Sequence, residues 1–296
     1  MAVQQITIIS GKGGTGKTTL TASFAALARN KVLADCDVDA ADLHLILQPE
    51  IKQRTDFYGG KVAVIDPDLC SQCGICESVC RFDAIHEFVV DDVACDGCSL
   101  CAHVCPDDAI EMITRRAGEW YLSESKYGPM VHARLGIAEE NSGKLVALVR
   151  NQAKLLAEEQ GLDLVLIDGP PGVGCPVISA ITGVNLVVAV TEPTVSGIHD
   201  LQRVLQVSGQ FRIPALVVIN KYDLNLQVSD QIESFCRENG IPVAGKIPFD
   251  RAVVDALLTK RPVVEYSRNG ASEVVRQVWS QVEQTVQQLA EGSSSS

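Results

Sequence analysis

No run of 18 apolar residues occurs in the sequence, so no membrane-spanning helix is expected. The N-terminus, MAVQQITIIS, has neither a basic opening nor a cleavage site. No export signal is expected from it, and the chain reads as cytoplasmic. Aromatic residues are scarce, at 5% against 46% apolar residues overall, which suits an α/β protein built on Val, Ile, Leu and Ala. Basic residues are also short, 25 against 37 acids, for a net charge of −12. Nucleic acid is therefore not expected as a partner, since phosphate contacts need a basic face. At 296 residues the chain can bury a sizeable core in one or two domains. Cysteine is not lacking, with eleven in all. In a chain that is not exported, these point to metal binding or reactive thiols rather than disulfides.

Eight of the eleven fall in two runs with the same spacing. Cys70, Cys73, Cys76 and Cys80 read C-x2-C-x2-C-x3-C, and Cys95, Cys98, Cys101 and Cys105 repeat it, followed by Pro106. The offset is 25 residues, and it also maps Asp66 to Asp91, Val79 to Val104 and Asp83-Ala84-Ile85 to Asp108-Ala109-Ile110. The repeat resembles a bacterial two-cluster ferredoxin. In that pattern three thiolates of a run hold one cluster and the fourth reaches across to the other. The resemblance implies two [4Fe-4S] clusters, one on Cys70, Cys73, Cys76 and Cys105, the other on Cys95, Cys98, Cys101 and Cys80. A zinc ribbon would need pairs of cysteines, not runs of four. Arg81 departs from the pattern where proline is usual. Residues 61–115 hold three bases and eleven acids, −8 of the chain's −12. Such a segment suits a redox partner with a basic docking face.

The second pattern lies near the N-terminus. Gln5 to Ser10 reads as a buried parallel strand. It is followed by Gly11-Lys12-Gly13-Gly14-Thr15-Gly16-Lys17-Thr18-Thr19 and an Ala/Leu-rich helix to about Arg29. This is G-x4-G-K-T between strand and helix. The glycines let backbone N–H groups close around phosphate oxygens at a helix N-terminus. Lys17 is expected on the β/γ-phosphates and the Thr18 hydroxyl on Mg²⁺.

With Lys12, the loop resembles the deviant Walker A of the MinD-type ATPases, a superfamily that includes the nitrogenase iron protein, the ParA partition ATPases and the Mrp-type iron–sulfur carriers. The resemblance implies ATP, Mg²⁺ and a nucleotide-dependent homodimer in which Lys12 crosses to the partner's nucleotide. It implies that Asp37 orients the attacking water, with Asp35 and Asp39 as alternatives. Asp168, ending the strand from Leu162 to Ile167, would hold Mg²⁺ through water, and the Gly172 N–H would sense the γ-phosphate. Asn220, in N-K-x-D, would read adenine, and Ile247 to Asp250 would close over the base. Cys175 lies seven residues after Asp168, where the nitrogenase iron protein has a cluster ligand. Cys36 and Cys236 read as packed core thiols.

The expected fold is a doubly wound, mostly parallel P-loop sheet with an inserted α+β ferredoxin module. The ATPase domain would comprise residues 1–60 and 116–290, the insert 61–115, and a flexible tail 291–296. Gly59-Gly60 would mark the exit into the insert, with VAVID and EFVVD as strand-like flanks. A hairpin turning at Gly128-Pro129 would mark the return. A helix opens near Ser142, a candidate N-cap, and Ser142-Gly143-Lys144 reads as a capped surface helix start. The last helix carries Val275, Val278, Trp279, Val282 and Val286 at core spacing. Its polar face is glutamine-rich with Arg276 as its one base, which argues against membrane binding. Two functions follow. One is ATP-gated electron transfer from the clusters to a partner protein. The other is an ATPase carrier or assembly factor for iron–sulfur or other metal cofactors.

Overall fold

The computed structural model describes residues 3–136 and 142–293. The chain divides into two compact units. Unit 1 is Met1–Arg54, Trp120–Arg134 and Ser142–Ser296; unit 2 is Thr55–Glu119 and Leu135–Asn141. In chain order the elements begin with β1 (Gln4–Ser10), α1 (Lys17–Leu27), β2 (Lys31–Asp35), α2 (Leu43–Leu47) and β3 (Glu50–Ile65). There follow α3 (Ile75–Val79), β4 (Ile85–His86), β5 (Val89–Val90), α4 (Leu100–Val104), β6 (Ile110–Ser125) and β7 (Gly128–Leu135). Then come α5 (Ser142–Gln160), β8 (Leu164–Pro171), α6 (Cys175–Ile181), β9 (Leu186–Thr191) and α7 (Val195–Gln210). The last are β10 (Ala215–Asn220), a 3₁₀ turn (Tyr222–Leu224), α8 (Leu226–Glu238), β11 (Val243–Ile247), α9 (Arg251–Leu258), α10 (Val263–Tyr266) and α11 (Ala271–Ser293).

The strand order is β11-β10-β9-β1-β8-β2-β7-β6-β3, and every pairing from β11 through to β7 is parallel. Strands β2 and β9 are buried along their whole length, and β1 after its first residue. That continuous apolar reading is what a parallel sheet covered on both faces requires. On one face Ile6, Ile8, Leu33, Leu166 and Val188 join the core of α1, α10 and α11. There Phe24 packs on Trp279 with ring centroids 5.0 Å apart. Gly245 of β11 lies so close to Val278 of α11 that an added Cβ would overlap it. On the other face Thr7 Oγ1 donates to the Ala180 carbonyl of α6 at 3.0 Å, and Arg150 of α5 reaches Gln5 at 3.0 Å. The chain turns outward in both directions from β1, so the crevice for a ligand lies beyond the carboxyl ends of β1, β2, β8 and β9.

His132 of β7 is 6% exposed. Ser123 Oγ lies 2.8 Å from its Nε2, and the rings of Tyr121 and His44 stack on it at 4.8 and 6.0 Å. Burial, with the neighbouring His44, pushes its pKa down to about 4.

Unit 2 keeps the 25-residue repeat in three dimensions. Gly74 (φ 76°) and Ser99 (φ 67°) stand in the left-handed region just before α3 and α4. Asp83 and Asp108 are left-handed as well. The Asp66 N–H donates to the Ala109 carbonyl and the Asp91 N–H to the Ala84 carbonyl, both at 2.8 Å, the exchange expected of two halves related by a local two-fold. The small core is Ala63, Cys76, Ile85, Cys101 and Ile110, with Cys80, Cys95 and Cys105 packed against it.

Four sequence expectations need correction. Gly59-Gly60 lies inside β3, and the chain passes between units at Arg54–Thr55, within the same strand. EFVVD contributes only the two-residue strand β5. The hairpin turns at Lys126-Tyr127, with Gly128-Pro129 opening β7. Helix α11 runs to Ser293, so part of the expected tail is helical, and 294–296 lie outside the described residues. Helix α5 starts at Ser142, and Asn141 also lies outside them. Among the described residues no helix is long and apolar enough to cross a membrane.

Two outcomes follow. Trp279→Ala removes a 4%-exposed indole from the α1–α11 core and should cost about 3–5 kcal/mol in denaturant unfolding. His132 binds its proton more weakly folded than unfolded, so between about pH 6.5 and 4 the unfolded state holds more protons. Stability should fall by about 2–3 kcal/mol as pH drops through that window. In His132→Gln the fall should shrink, read from unfolding midpoints at pH 7 and 4.5.

Candidate functional site

The loop after β1 is shaped by two left-handed glycines, Gly14 (φ 81°) and Gly16 (φ 91°). At Gly16 a side chain would also strike the Asn220 amide, and at Gly11 it would strike the Asp200 backbone. Gly13 is spatially unrestricted. Thr15 is 2% exposed, and its Oγ1 is buried without a hydrogen-bond partner. Lys17 and Thr18 open α1, and Thr19 and Leu20 of its first turn face the adjoining cavity.

Lys17 is the centre of a buried ionic cluster. Its Nζ lies 3.1 Å from Asp168 Oδ1, 3.3 Å from Asp37 Oδ2 and 3.3 Å from Thr18 Oγ1. Thr18 and Thr21 donate to the two oxygens of Asp168, each at 2.8 Å. Burial disfavours the charge of Lys17, but Asp168, Asp37 and Asp35 outweigh it and hold the amine above its ordinary pKa. Burial raises Asp37 too, opposed by Lys17 and reinforced by Asp168. Asp35 is fully enclosed, and burial with the nearby Asp168 pushes its carboxyl well above the usual range. Asp39, the other alternative, is exposed.

Gly172, Asn220 and Lys12 each have partners within the chain. The Gly172 N–H donates to the Ser10 carbonyl at 2.8 Å, so it is engaged with β1. Asn220 Nδ2 donates to the Thr15 carbonyl at 2.7 Å, which ties it to the glycine-rich loop, and its Oδ1 accepts the Lys221 N–H at 3.0 Å. Lys12 bonds within its own chain, to Glu192 at 2.7 Å, Ser196 at 3.1 Å and Thr194 at 3.3 Å. Burial tends to raise Glu192, but Lys12 and then Lys221 overcome it and hold it below the usual range. Sequence reasoning missed Glu192, because a lone glutamate after a strand carries no spacing signal. It also missed that Asp223 Oδ1 takes the Phe249 N–H at 2.7 Å. In N-K-x-D, that carboxylate would be the guanine-binding group.

Beside the loop lies a cavity of about 290 Å³. Gly14, Gly16, Asn220, Pro248, Phe249 and Val275 are among its walls. Its lining is mostly apolar, the character of a pocket for a flat base.

In unit 2 the cysteines gather in two further cavities. Cys70, Cys73, Cys76 and Cys105 line one with about 280 Å³ of atom-free space. Cys80, Cys95, Cys98 and Cys101 line the other, with about 350 Å³. Each cavity takes three thiols from one repeat and one from the other. The Ala84 N–H points at Cys80 Sγ at 3.4 Å and the Ala109 N–H at Cys105 Sγ at 3.3 Å. Among the described residues no group of three or more His, Cys, Asp or Glu converges closely enough for a single metal ion. All eleven cysteines are free of disulfides. Cys36 and Cys236 are fully buried, and burial raises both thiols, Cys236 to about 11. Cys175 is exposed at the start of α6.

Comparison with known proteins bears on the first site. Residues 6–263 match the family described as CbiA, the CobQ/CobB/MinD/ParA nucleotide binding domain. An uncharacterised protein of Methanocaldococcus jannaschii is 40% identical over 227 residues, 75% of this chain and 80% of that protein. The septum site-determining protein MinD of Bacillus subtilis is 23% identical over 286 residues, 93% of this chain and 87% of that one. The cell division ATPase MinD of Pyrococcus furiosus superposes with a TM-score of 0.54 at 22% identity, covering 95% of this chain and 98% of its own. MinD of Pyrococcus horikoshii, solved in complex with Mg-ADP, gives 0.55 at 18%, covering 95% and 96%. These structural likenesses establish the shared α/β fold with its mostly parallel sheet. The iron–sulfur and electron-transfer expectations find no support in them and rest on the cysteines of this chain alone.

Proposed function

Because the chain belongs to the CobQ/CobB/MinD/ParA nucleotide-binding family, we propose that it is a Mg²⁺-dependent ATPase that couples its nucleotide state to electron transfer from two [4Fe-4S] clusters to a partner protein. The observation that carries the cluster half of this reading is the sorting of eight cysteines into two cavities of four. Three thiols of one repeat and one of the other around each space suit the two-cluster ferredoxin pattern better than the paired cysteines of a zinc ribbon. The buried, unpartnered Thr15 hydroxyl and the left-handed glycines suit a phosphate-binding loop.

In this reading Lys17 moves from its carboxylates to the β/γ-phosphates of ATP. The move matters chemically, because Asp37 then loses its cation and its oxygen becomes available to a water. Thr18 contributes its hydroxyl to Mg²⁺, and Asp168 holds the ion through water. The base enters the apolar cavity beside Phe249, where Asn220, also a wall of that cavity, reads adenine. Lys12 exchanges Glu192 for the partner protomer's nucleotide in a homodimer. In unit 2, Cys70, Cys73, Cys76 and Cys105 would hold one cluster and Cys95, Cys98, Cys101 and Cys80 the other, supplying one-electron chemistry. Cys73 and Cys98 are the exposed members, one per set. The acceptor would present basic groups to the acidic segment. Along the chain, the Asp37 loop leads through α2 into β3, which carries the sequence into unit 2.

Anaerobic reconstitution should load about eight iron atoms per chain, and Cys80→Ser or Cys105→Ser should each lose about half of them. Zinc in place of iron, or no iron at all, would remove the electron-transfer reading. Lys17→Ala should abolish Mg·ATP hydrolysis, measured as phosphate release, while leaving the iron content unchanged.

A further inference from the structure

Asp35 ends β2 and is 0% exposed. A carboxyl group so enclosed needs partners for both oxygens. Its Oδ1 accepts the Asp37 N–H at 3.2 Å, and its Oδ2 accepts the Leu43 N–H at 3.3 Å. Those two amides stand at opposite ends of one loop. Between them run Asp37, Val38, Asp39, Ala40, Ala41 and Asp42, before α2 begins at Leu43. One side chain therefore ties the start of the loop to its end. The Cys36 N–H, donating to the Asp168 carbonyl at 2.8 Å, fixes the same loop start to β8.

We propose that Asp35 is a positioning residue for the hydrolytic reaction, clasping both ends of the loop that carries Asp37. The proposal rests on reading Asp37 as the residue that orients water. Asp35 itself touches neither phosphate nor metal; it acts through the backbone of Asp37 and Leu43. A carboxyl group suits this task better than an amide, because both of its oxygens can accept. Two N–H donors approach two different oxygens, and an asparagine offers one acceptor while its NH₂ would face an N–H. The clasp adds to what already holds the start of the loop, the Lys17–Asp37 ion pair and the buried Val38. Residues 39, 40 and 42 are exposed, and within it the one backbone turn bond is Ala40 N–H to the Asp37 carbonyl at 3.1 Å. Helix α2 is anchored by Leu43, Ile46 and Leu47 in the core, so the clasp transmits that anchorage back to Asp37.

The test compares full-length wild type with Asp35→Asn by amide hydrogen exchange and by steady-state kinetics. Exchange over residues 36–43 should quicken about tenfold or more in Asp35→Asn, with β1 and β9 keeping their protection. The kcat for ATP should fall about tenfold or more while the dissociation constant for Mg·ATP stays within about twofold. Unchanged exchange in the loop would overturn the clasp. So would protection lost equally from β1 and β9, or binding lost together with kcat, since each marks a merely structural role. If wild type hydrolyses no ATP, the ATPase reading falls, and the exchange result alone decides whether the clasp exists.

Discussion

One buried ammonium group governs the carboxyl edge of the sheet. Lys17 is 5% exposed and shares its surroundings with Asp35, Asp37 and Asp168, two of which it contacts directly. A charge that deep is tolerable only when paired and hydrogen-bonded, and an excess of carboxylates around it is tolerable only while it stays. The arrangement requires β1, β2 and β8 to end side by side, so that a loop lysine, a β2 aspartate and a β8 aspartate meet. The parallel register that aligns Asp35 with Asp168 provides this. The same excess of carboxylate makes the site ready for a divalent cation, and the lysine's withdrawal toward phosphate is what would call for one.

Unit 2 obeys a different constraint. Its central cluster of buried residues is Ala63, Cys76, Ile85, Cys101 and Ile110, so thiols are part of the packing. In the proposed reading, two clusters that each cross-link both repeats would add to that packing and supply the redox chemistry. The local two-fold follows from this economy: the fourth thiol of each repeat sits at the far cavity, so neither half completes a site by itself.

How much of this was legible in the sequence varied with the kind of signal. The glycine-rich loop, Lys17, Thr18 and Asp168 were readable because strand, turn and helix each leave a periodic or compositional mark, and the structure gathers those side chains within hydrogen-bonding reach. The grouping of the cysteines was what the ferredoxin resemblance implied, and the two cavities are lined by the same sets. Only the VAVI end of strand β3 was readable, because its first half, EIKQRTD, is mostly exposed and lacks alternation, and a glycine pair inside the strand imitates a boundary. The partners of Asn220, Lys12 and Asp223 were hidden for another reason. Each contacts a residue at least 26 positions away, and no local pattern reveals such a pairing. Asp35 was visible only as one aspartate among three; its 0% exposure and its two amide partners distinguish it.

The central claim is that nucleotide state and cluster chemistry are coupled in one chain. It is tested most directly by an anaerobic, EPR-monitored redox titration of the reconstituted protein, run with ADP and again with a non-hydrolysable ATP analogue. Coupling predicts that the reduction potential of at least one cluster shifts between the two nucleotides by more than the error of the titration. Two clusters that reduce at the same potentials in both states would contradict it.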